Sequence, residues 1–405
     1  MTVAAGDAGA REAEADDSAA EGVGPHLVLG RPLVMFAASR LVVLLAAGVA
    51  ALVQVSTGRA AGLGPWPSVP QSRYSAVAAL ERWDGAWWIS IAQHGYPHAL
   101  SSGNALGRFA FFPLYPLGIR AVALTGLPVQ YAALGLSTGL GAGAAVLLWH
   151  LARRLTEPAT ADRSCALFCF FPGSLVLSMA YSEALMLLAA LGCLLALERG
   201  RWLFAGVAAA VATATRPTAV ALCFACAWAA ASAISRRRQW QALLAPLLSP
   251  VGALAYFSFL AIHTGRTDAW FVSERDAWHE RFDLVGLPTR LVAAVHQPVR
   301  AFNNLRDANP LVSLIGVLVL VALLALLVRW RPPAPVLVFT LMTVVLIVGS
   351  KTIGARPRLV LSAFPLLIAL AHRLSGWGFL TVLSCCAVAL GALTVLSLTT
   401  LTATP

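Results

Sequence analysis

The chain has 405 residues, 59% hydrophobic and 12% charged, with a mean hydropathy of +0.77. So little polar surface excludes a water-soluble multidomain enzyme, a disordered hub and a secreted disulfide scaffold, and predicts an all-α, polytopic transmembrane protein. The formal net charge of +11 comes from arginines scattered along connections, Lys351 being the one lysine, so no basic stripe forms and nucleic acid is not an expected partner.

Residues 1–30 carry six of the eighteen acidic residues among Ala, Gly and Ser, the composition of a disordered tail; residues 31–405 read as one transmembrane domain. Leu33 to Val53 is long enough to cross and lacks a cleavage site, which predicts a retained first helix. A first outer loop, 56–128, follows. Within it Arg82 to Tyr96 sets Trp87, Trp88, Ile91 and Ala92 on one helical face, predicting a short amphipathic helix in the membrane interface that ends at Gly95. Phe109 to Gly126 has a span's length but contains Pro113, Pro116 and Arg120. A mid-bilayer arginine costs about 2.5 to 3.5 kcal/mol, so this segment is predicted not to cross.

Candidate spans then recur near 129–151, 164–181, 184–198, 202–215, 217–235, 240–262, 311–328, 335–350, 358–372 and 377–400, about eleven crossings with the first. Arg153, Arg154, Arg163, Arg199, Arg201, Arg236 to Arg238, Arg329, Arg331 and Arg373 fall in every second connection, which marks those connections as cytoplasmic. The first loop, the connections near Glu183 and Arg216, the second large loop 263–309 and the turn 351–357 then face outward. Arg40, inside the first helix, either snorkels or belongs to a polar pocket.

All seven cysteines lie in apolar runs, where a thiol packs as a small hydrophobe, and Cys223-x-x-Cys226 has no second ligand pair. His94 and His98 stand four apart, but Gly95 and Pro97 break the helix that would align them as metal ligands. The outward polar set is therefore short: Asp84, Glu183, Arg216, Lys351, Arg356, Arg358 and the charged stretch Arg266 to Asp283. Periodicity alone leaves two readings open for each acid: Asp84 as a helix cap or an interfacial carboxylate, Glu183 as a solvated turn residue or a carboxylate held near the bilayer edge.

Trp83-Asp84 with Trp87-Trp88, Ile91-Ala92 and Gly95-Tyr96, followed by Phe111-Phe112-Pro113-Leu114-Tyr115-Pro116, resembles the PIG-V-type mannosyltransferases. Phe171-Pro172-Gly173, Tyr181-Ser182-Glu183-Ala184-Leu185, Arg199-Gly200-Arg201-Trp202, Thr215-Arg216-Pro217-Thr218 and Arg358 continue the likeness over most of residues 80 to 370. The resemblance implies a GT-C-superfamily membrane glycosyltransferase that uses a polyprenyl-phosphate mannose donor and an essential acid in its first outer loop. Carried over, that acid is Asp84, acting as base in an inverting transfer through an oxocarbenium-like transition state. Glu183 becomes a second acid that orients the acceptor, tunes Asp84 or shares a divalent cation with it; the metal is left open, and no nucleotide or organic cofactor is expected. Trp83, Trp87, Trp88, Tyr96 and Tyr181 become substrate-binding residues. Arg216, Arg356 and Arg358 are candidates for the departing phosphate, with lipid headgroups as their other use. Trp87-Trp88 departs from the His-aromatic pair of eukaryotic members, which leaves the acceptor (glycolipid, polysaccharide or protein) open. The implied place is the plasma membrane with an extracytoplasmic site. The alternative that composition allows is a multi-span transporter or lipid flippase, although the two halves of the chain show no convincing repeat.

Overall fold

The computed structural model describes residues 25–57, 75–100, 104–289, 292, 309–351 and 356–399. The acidic tail up to residue 24, the stretch 58–74 and most of the second half of the large loop, 293–308, lie outside the described residues. The protein is all-α, and the one β-type contact among the described residues is an isolated antiparallel bridge between Phe282 and Ser350.

The first helix, α1 (Pro25–Thr57), is long because only the adjacent Ser39 and Arg40 interrupt the apolar run from Leu33 to Val53. Phe36, Arg40, Val43, Ala47 and Ala50, spaced three or four apart, are buried, while Leu41, Leu44, Leu45 and Leu52 on the other side are more than half exposed. Exposing that much hydrocarbon in water costs about 25 cal/mol per Å², so the outer stripe is a lipid-facing surface. Ala76–Leu80 (α2) and Asp84–His94 (α3) follow, then Asn104–Gly107 (α4), a 3₁₀ turn Arg108–Ala110 and Leu114–Ala123 (α5). Ten residues of α5 rise about 15 Å, half the hydrocarbon thickness, as the prolines and Arg120 predict.

The bundle continues with Val129–Leu155 (α6), Pro158–Phe170 (α7), Glu183–Glu198 (α8), Trp202–Thr213 (α9), Ala221–Arg237 (α10), Leu244–Leu248 (α11) and Val251–Thr264 (α12). After the large loop come Asn309–Trp330 (α14), Ala334–Gly349 (α15), Pro357–Ser362 (α16), Pro365–Arg373 (α17) and Gly376–Thr399 (α18); α13 (Ala269–Val272) lies within the loop. Five of the described helical segments, Gly30–Val53, Val129–Leu155, Pro217–Arg237, Trp240–Thr264 and Gly376–Thr399, are long and apolar enough to cross a membrane, and shorter apolar helices accompany them. α8 is the centre, with twelve of its sixteen residues buried against α6 and α9.

Two of the expected spans that are broken instead of continuous bear on the site. The 164–181 span ends its α-helix at Phe170, because Pro172 starts a 3₁₀ turn, Pro172–Leu177. The 358–372 span is interrupted before Pro365. Arg40 serves the first break: its guanidinium donates to the Cys169 carbonyl (3.0 Å), the Ser174 carbonyl (2.6 Å) and the Ser174 and Ser178 hydroxyls. It therefore neither snorkels nor joins a polar pocket. It supplies the hydrogen bonds that an interrupted helix leaves unmade.

Candidate active site

Three prolines build the site by opening the helical turns beside it, each preceded by an extended residue. The residue before a proline is pushed out of the helical region, and Arg216 (φ −159°, ψ 146°), Arg356 (φ −73°, ψ 149°) and Phe171 (φ −56°, ψ 138°) are all extended. Gly173 lets the first break meet the last segment: a Cβ there would stand 2.2 Å from the Pro357 carbonyl oxygen and 2.7 Å from the Arg358 amide nitrogen. Phe171-Pro172-Gly173 thus docks the strip that carries Arg358. On the other side Trp83 holds φ 61°, a strained backbone for a bulky residue, directly before α3. Its indole N–H donates to the Ser397 carbonyl (2.8 Å), fixing the start of α3 against α18.

These constraints bring four charges together. Arg358 Nη1 lies 2.5 Å from Asp84 Oδ2 and 3.8 Å from Glu183 Oε1, and Arg216 forms an ion pair with Glu183 Oε1. Glu183 is wholly buried and begins α8, where the helix dipole also favours a carboxylate. The Asp84 side chain is 21% exposed, and the Asp84 amide donates to the Tyr181 hydroxyl at 3.2 Å. Arg358 packs over the Tyr181 ring, 5.5 Å from its centroid. Two charges of each sign, each touching an opposite one, are how a buried cluster tolerates the loss of water.

The cluster borders a cavity of about 440 Å³. Of the residues expected at the site, Trp83, Asp84, Trp88, Tyr181, Arg216, Arg356 and Arg358 line it. Glu183 stands behind the wall, shielded by Arg216 and Arg358. Trp87 is also behind it, packed against Phe111 and Trp278. Tyr96 is turned away, its hydroxyl donating to the Phe111 carbonyl (2.6 Å) and its ring stacked on Phe109 and tilted against Tyr256. The helix that bears Asp84 forms as expected, yet Trp87 and Trp88 are each 4% exposed and α3 is covered by protein, where a headgroup-level location had been expected for their rings.

Burial, with the Arg358 charge second, brings Arg356 down to about 10, against the opposing pull of Asp84 and Tyr181. It stays cationic at neutral pH. Among the described residues neither Arg356 nor the Arg281 side chain has a carboxylate partner. Trp88 Nε1 and Arg358 Nε are buried donors without a hydrogen-bond partner there. The place a cation shared by Asp84 and Glu183 would take is filled by the Arg358 guanidinium, and among the described residues no three His, Cys, Asp or Glu side chains group as metal ligands.

The second large loop contributes cavity residues that sequence reasoning named only as a charged stretch: Trp270, Glu274, Trp278, Glu280, Arg281 and Phe282. The loop is tied down through Asp283 N–H to the Gly349 carbonyl (2.7 Å) and Lys351 N–H to the Arg281 carbonyl (3.1 Å). Trp270, Glu274 and Trp278 recur every four residues, the one signal that could have singled them out.

A family model described as Mannosyltransferase (PIG-V) matches residues 32–251, more than half of the chain and including α3, α8 and Arg216. The chain belongs to the PIG-V mannosyltransferase family. It is 30% identical over 143 residues to GPI mannosyltransferase 2 of Drosophila pseudoobscura pseudoobscura, covering 33% of this chain and 30% of that protein. To GPI alpha-1,6-mannosyltransferase 2 it is 33% identical over 165 residues in Rattus norvegicus (38% of this chain, 32% of the relative) and 34% over 160 residues in Cricetulus griseus (37% and 31%). The chain thus spans about a third of the length of the curated relatives it matches. Arg356, Arg358 and the cavity residues of the second loop lie beyond the stretch matched by the family model.

Proposed function

We propose that the protein transfers mannose from a polyprenyl-phosphate donor to a hydroxyl of a glycolipid, polysaccharide or protein acceptor at the extracytoplasmic face of the plasma membrane, with inversion. The observation that carries this reading is the juxtaposition at one cavity, in a chain of this family, of a partly exposed carboxylate with four guanidinium groups, those of Arg216, Arg281, Arg356 and Arg358.

In this mechanism Asp84 is held through Oδ2 by Arg358, and its Oδ1, without a hydrogen bond among the described residues, accepts the acceptor hydroxyl's proton. The acceptor oxygen bonds to the anomeric carbon as the bond to the phosphate oxygen breaks on the opposite face. Charge grows on the departing lipid phosphate, which Arg356 and Arg281 stabilise because their forks are not committed to carboxylates. Arg358 Nε and Trp88 Nε1 add unpaired N–H groups to the same wall. Glu183 acts as a positioning residue: it fixes Arg358 and Arg216, and through Arg358 it sets the orientation of Asp84.

The test is transfer of labelled mannose from a polyprenyl-phosphate donor by the purified protein. Asp84→Asn is expected to lose at least ~100-fold in kcat, the scale of a general base; a folded variant with full activity removes Asp84 from that role. Sidedness is tested with Asp276→Cys and Ser235→Cys in a background lacking Cys385 and Cys386. An impermeant thiol reagent on intact cells is expected to label the first and spare the second, and the opposite pattern places the cavity on the cytoplasmic side.

A further inference from the structure

We propose that Trp270, Glu274 and Trp278 form a sugar-binding face on the cavity wall, with Glu274 hydrogen-bonding ring hydroxyls and the two indoles packing against the ring's C–H surfaces. The inference rests on the glycosyl-transfer reading and adds which wall holds a hexose.

All three side chains line the cavity, and α13 passes into a π turn, Ser273–Ala277, between the two tryptophans. Such turns are rare and concentrate at functional sites. The polar edges of the indoles are already used: Trp278 Nε1 donates to the Gly107 carbonyl (3.0 Å) and Trp270 Nε1 to the Ala110 carbonyl (3.4 Å). What they offer the cavity is apolar ring surface, rigid and cheap to order.

The cavity has three carboxyl groups. Asp84 is engaged by Arg358, and Glu280 Oε1 accepts the Lys351 and Arg281 amides at 2.7 and 3.1 Å. Of the three, only the Glu274 carboxyl makes no hydrogen bond or ion pair among the described residues, its backbone carbonyl being engaged by the Glu280 amide at 2.8 Å. Burial pushes it up to about 8, with Glu280 and Asp84 adding to the rise and Arg216 opposing it. A carboxyl group left protonated at neutral pH both donates and accepts, which matches a polyol and not a phosphate. An unspent carboxyl on a cavity wall shared with two indoles has no use in packing, where its desolvation only costs.

The experiment measures binding to the full-length protein in nanodiscs of polyprenyl-phosphate-mannose and of polyprenyl phosphate without sugar, and the KM for octyl mannoside as acceptor. Glu274→Ala is expected to weaken the sugar-bearing lipid about tenfold and leave the bare lipid phosphate unchanged, the loss expected for one buried hydrogen-bonding group. Glu274→Gln, which keeps a donor and an acceptor, is expected to retain most of the affinity. Unchanged donor affinity with a KM for octyl mannoside raised about tenfold assigns the face to the acceptor's ring and still supports it. Equal weakening of both lipids, or no change in any of the three measurements, overturns the subsite while the transfer reading stands. Wild-type protein that neither binds the donor nor transfers sugar overturns the transfer reading and the subsite together.

Discussion

Arginine does different work at the two ends of the bundle. At one end the connections 153–163, 329–331 and 372–373 meet, through Arg163 donating to the Ala371 carbonyl (3.1 Å) and the contact of Trp330 with His372. Arg153, Arg154, Arg199, Arg201, Arg236, Arg237, Arg238, Arg329, Arg331 and Arg373 are all exposed. Arg153, for instance, rests on the Trp149 ring with no carboxylate required. At the other end the side chains of Arg216 and Arg358 are 15% and 8% exposed, and each is committed to an acid. The same side chain is a solvated charge where it is exposed and a structural element where it is buried against an acid, because removing one member of a buried pair leaves the other's desolvation without an offset.

The hardest test of that contrast is Arg358→Ala. It leaves Asp84 and the wholly buried Glu183 with one guanidinium fewer, and breaking such a pair costs about 3 to 5 kcal/mol. Loss of most folded protein from the membrane is expected, or a large fall in melting temperature in detergent. Arg358→Lys should recover part of the stability but little activity, since an ammonium cannot present the same fork. A double-mutant cycle sharpens the result. Arg216→Gln with Glu183→Gln should be less damaging than Arg216→Gln alone, because the pair leaves no unpaired charge behind; additive losses would show that the two do not act as a unit.

Gly173→Ala comes next. The added methyl would meet Pro357 backbone, which cannot move aside as a side chain can, so about 1 to 3 kcal/mol of destabilisation is expected together with reduced transfer as Arg358 shifts. An unchanged melting temperature and unchanged kcat would mean that the docking of this turn does not position Arg358.

Much of this end was legible in the sequence, and what was missed has definite causes. Arg216-Pro217 and Arg356-Pro357 announce extended backbone wherever they occur, and Asp84 follows a tryptophan at the start of a helix that forms where periodicity places it. The burial of Trp87 and Trp88 was not legible, because a hydrophobic face reads the same whether lipid or protein covers it. Nor was the shielding of Glu183, since its partners come from distant breaks in other helices. Glu274 was hidden by Arg275 and Asp276, an exposed ion pair that gives the segment the look of a solvated loop.

The raised acids of the site end predict a modest pH effect. Burial holds Glu274 at about 8 and Glu81 at about 7, both above an ordinary carboxyl. In each case the folded state binds the proton more tightly than the unfolded state, so stability is greatest below the unfolded value near 4.5 and falls as pH rises through 7 and 8. Melting temperature should therefore decline between pH 5 and 9, and Glu274→Gln or Glu81→Gln should each flatten the decline. A slope untouched by both substitutions would locate the titrating groups elsewhere.

The smallest effect is expected at the opposite end, and its sign is the informative part. Arg238 closes α10 with φ 51° and ψ 32°, and its amide reaches the Ile234 carbonyl at 2.9 Å. That left-handed geometry costs a side-chain-bearing residue about 1 kcal/mol and costs glycine nearly nothing. Arg238→Gly should leave transfer within about twofold and hold or raise the melting temperature, with Arg236 and Arg237 still supplying positive charge to the same connection. If it instead lowers stability as is expected of Arg216→Gln, the exposed guanidinium has a partner that matters, and the division of arginine's work between the two ends does not hold.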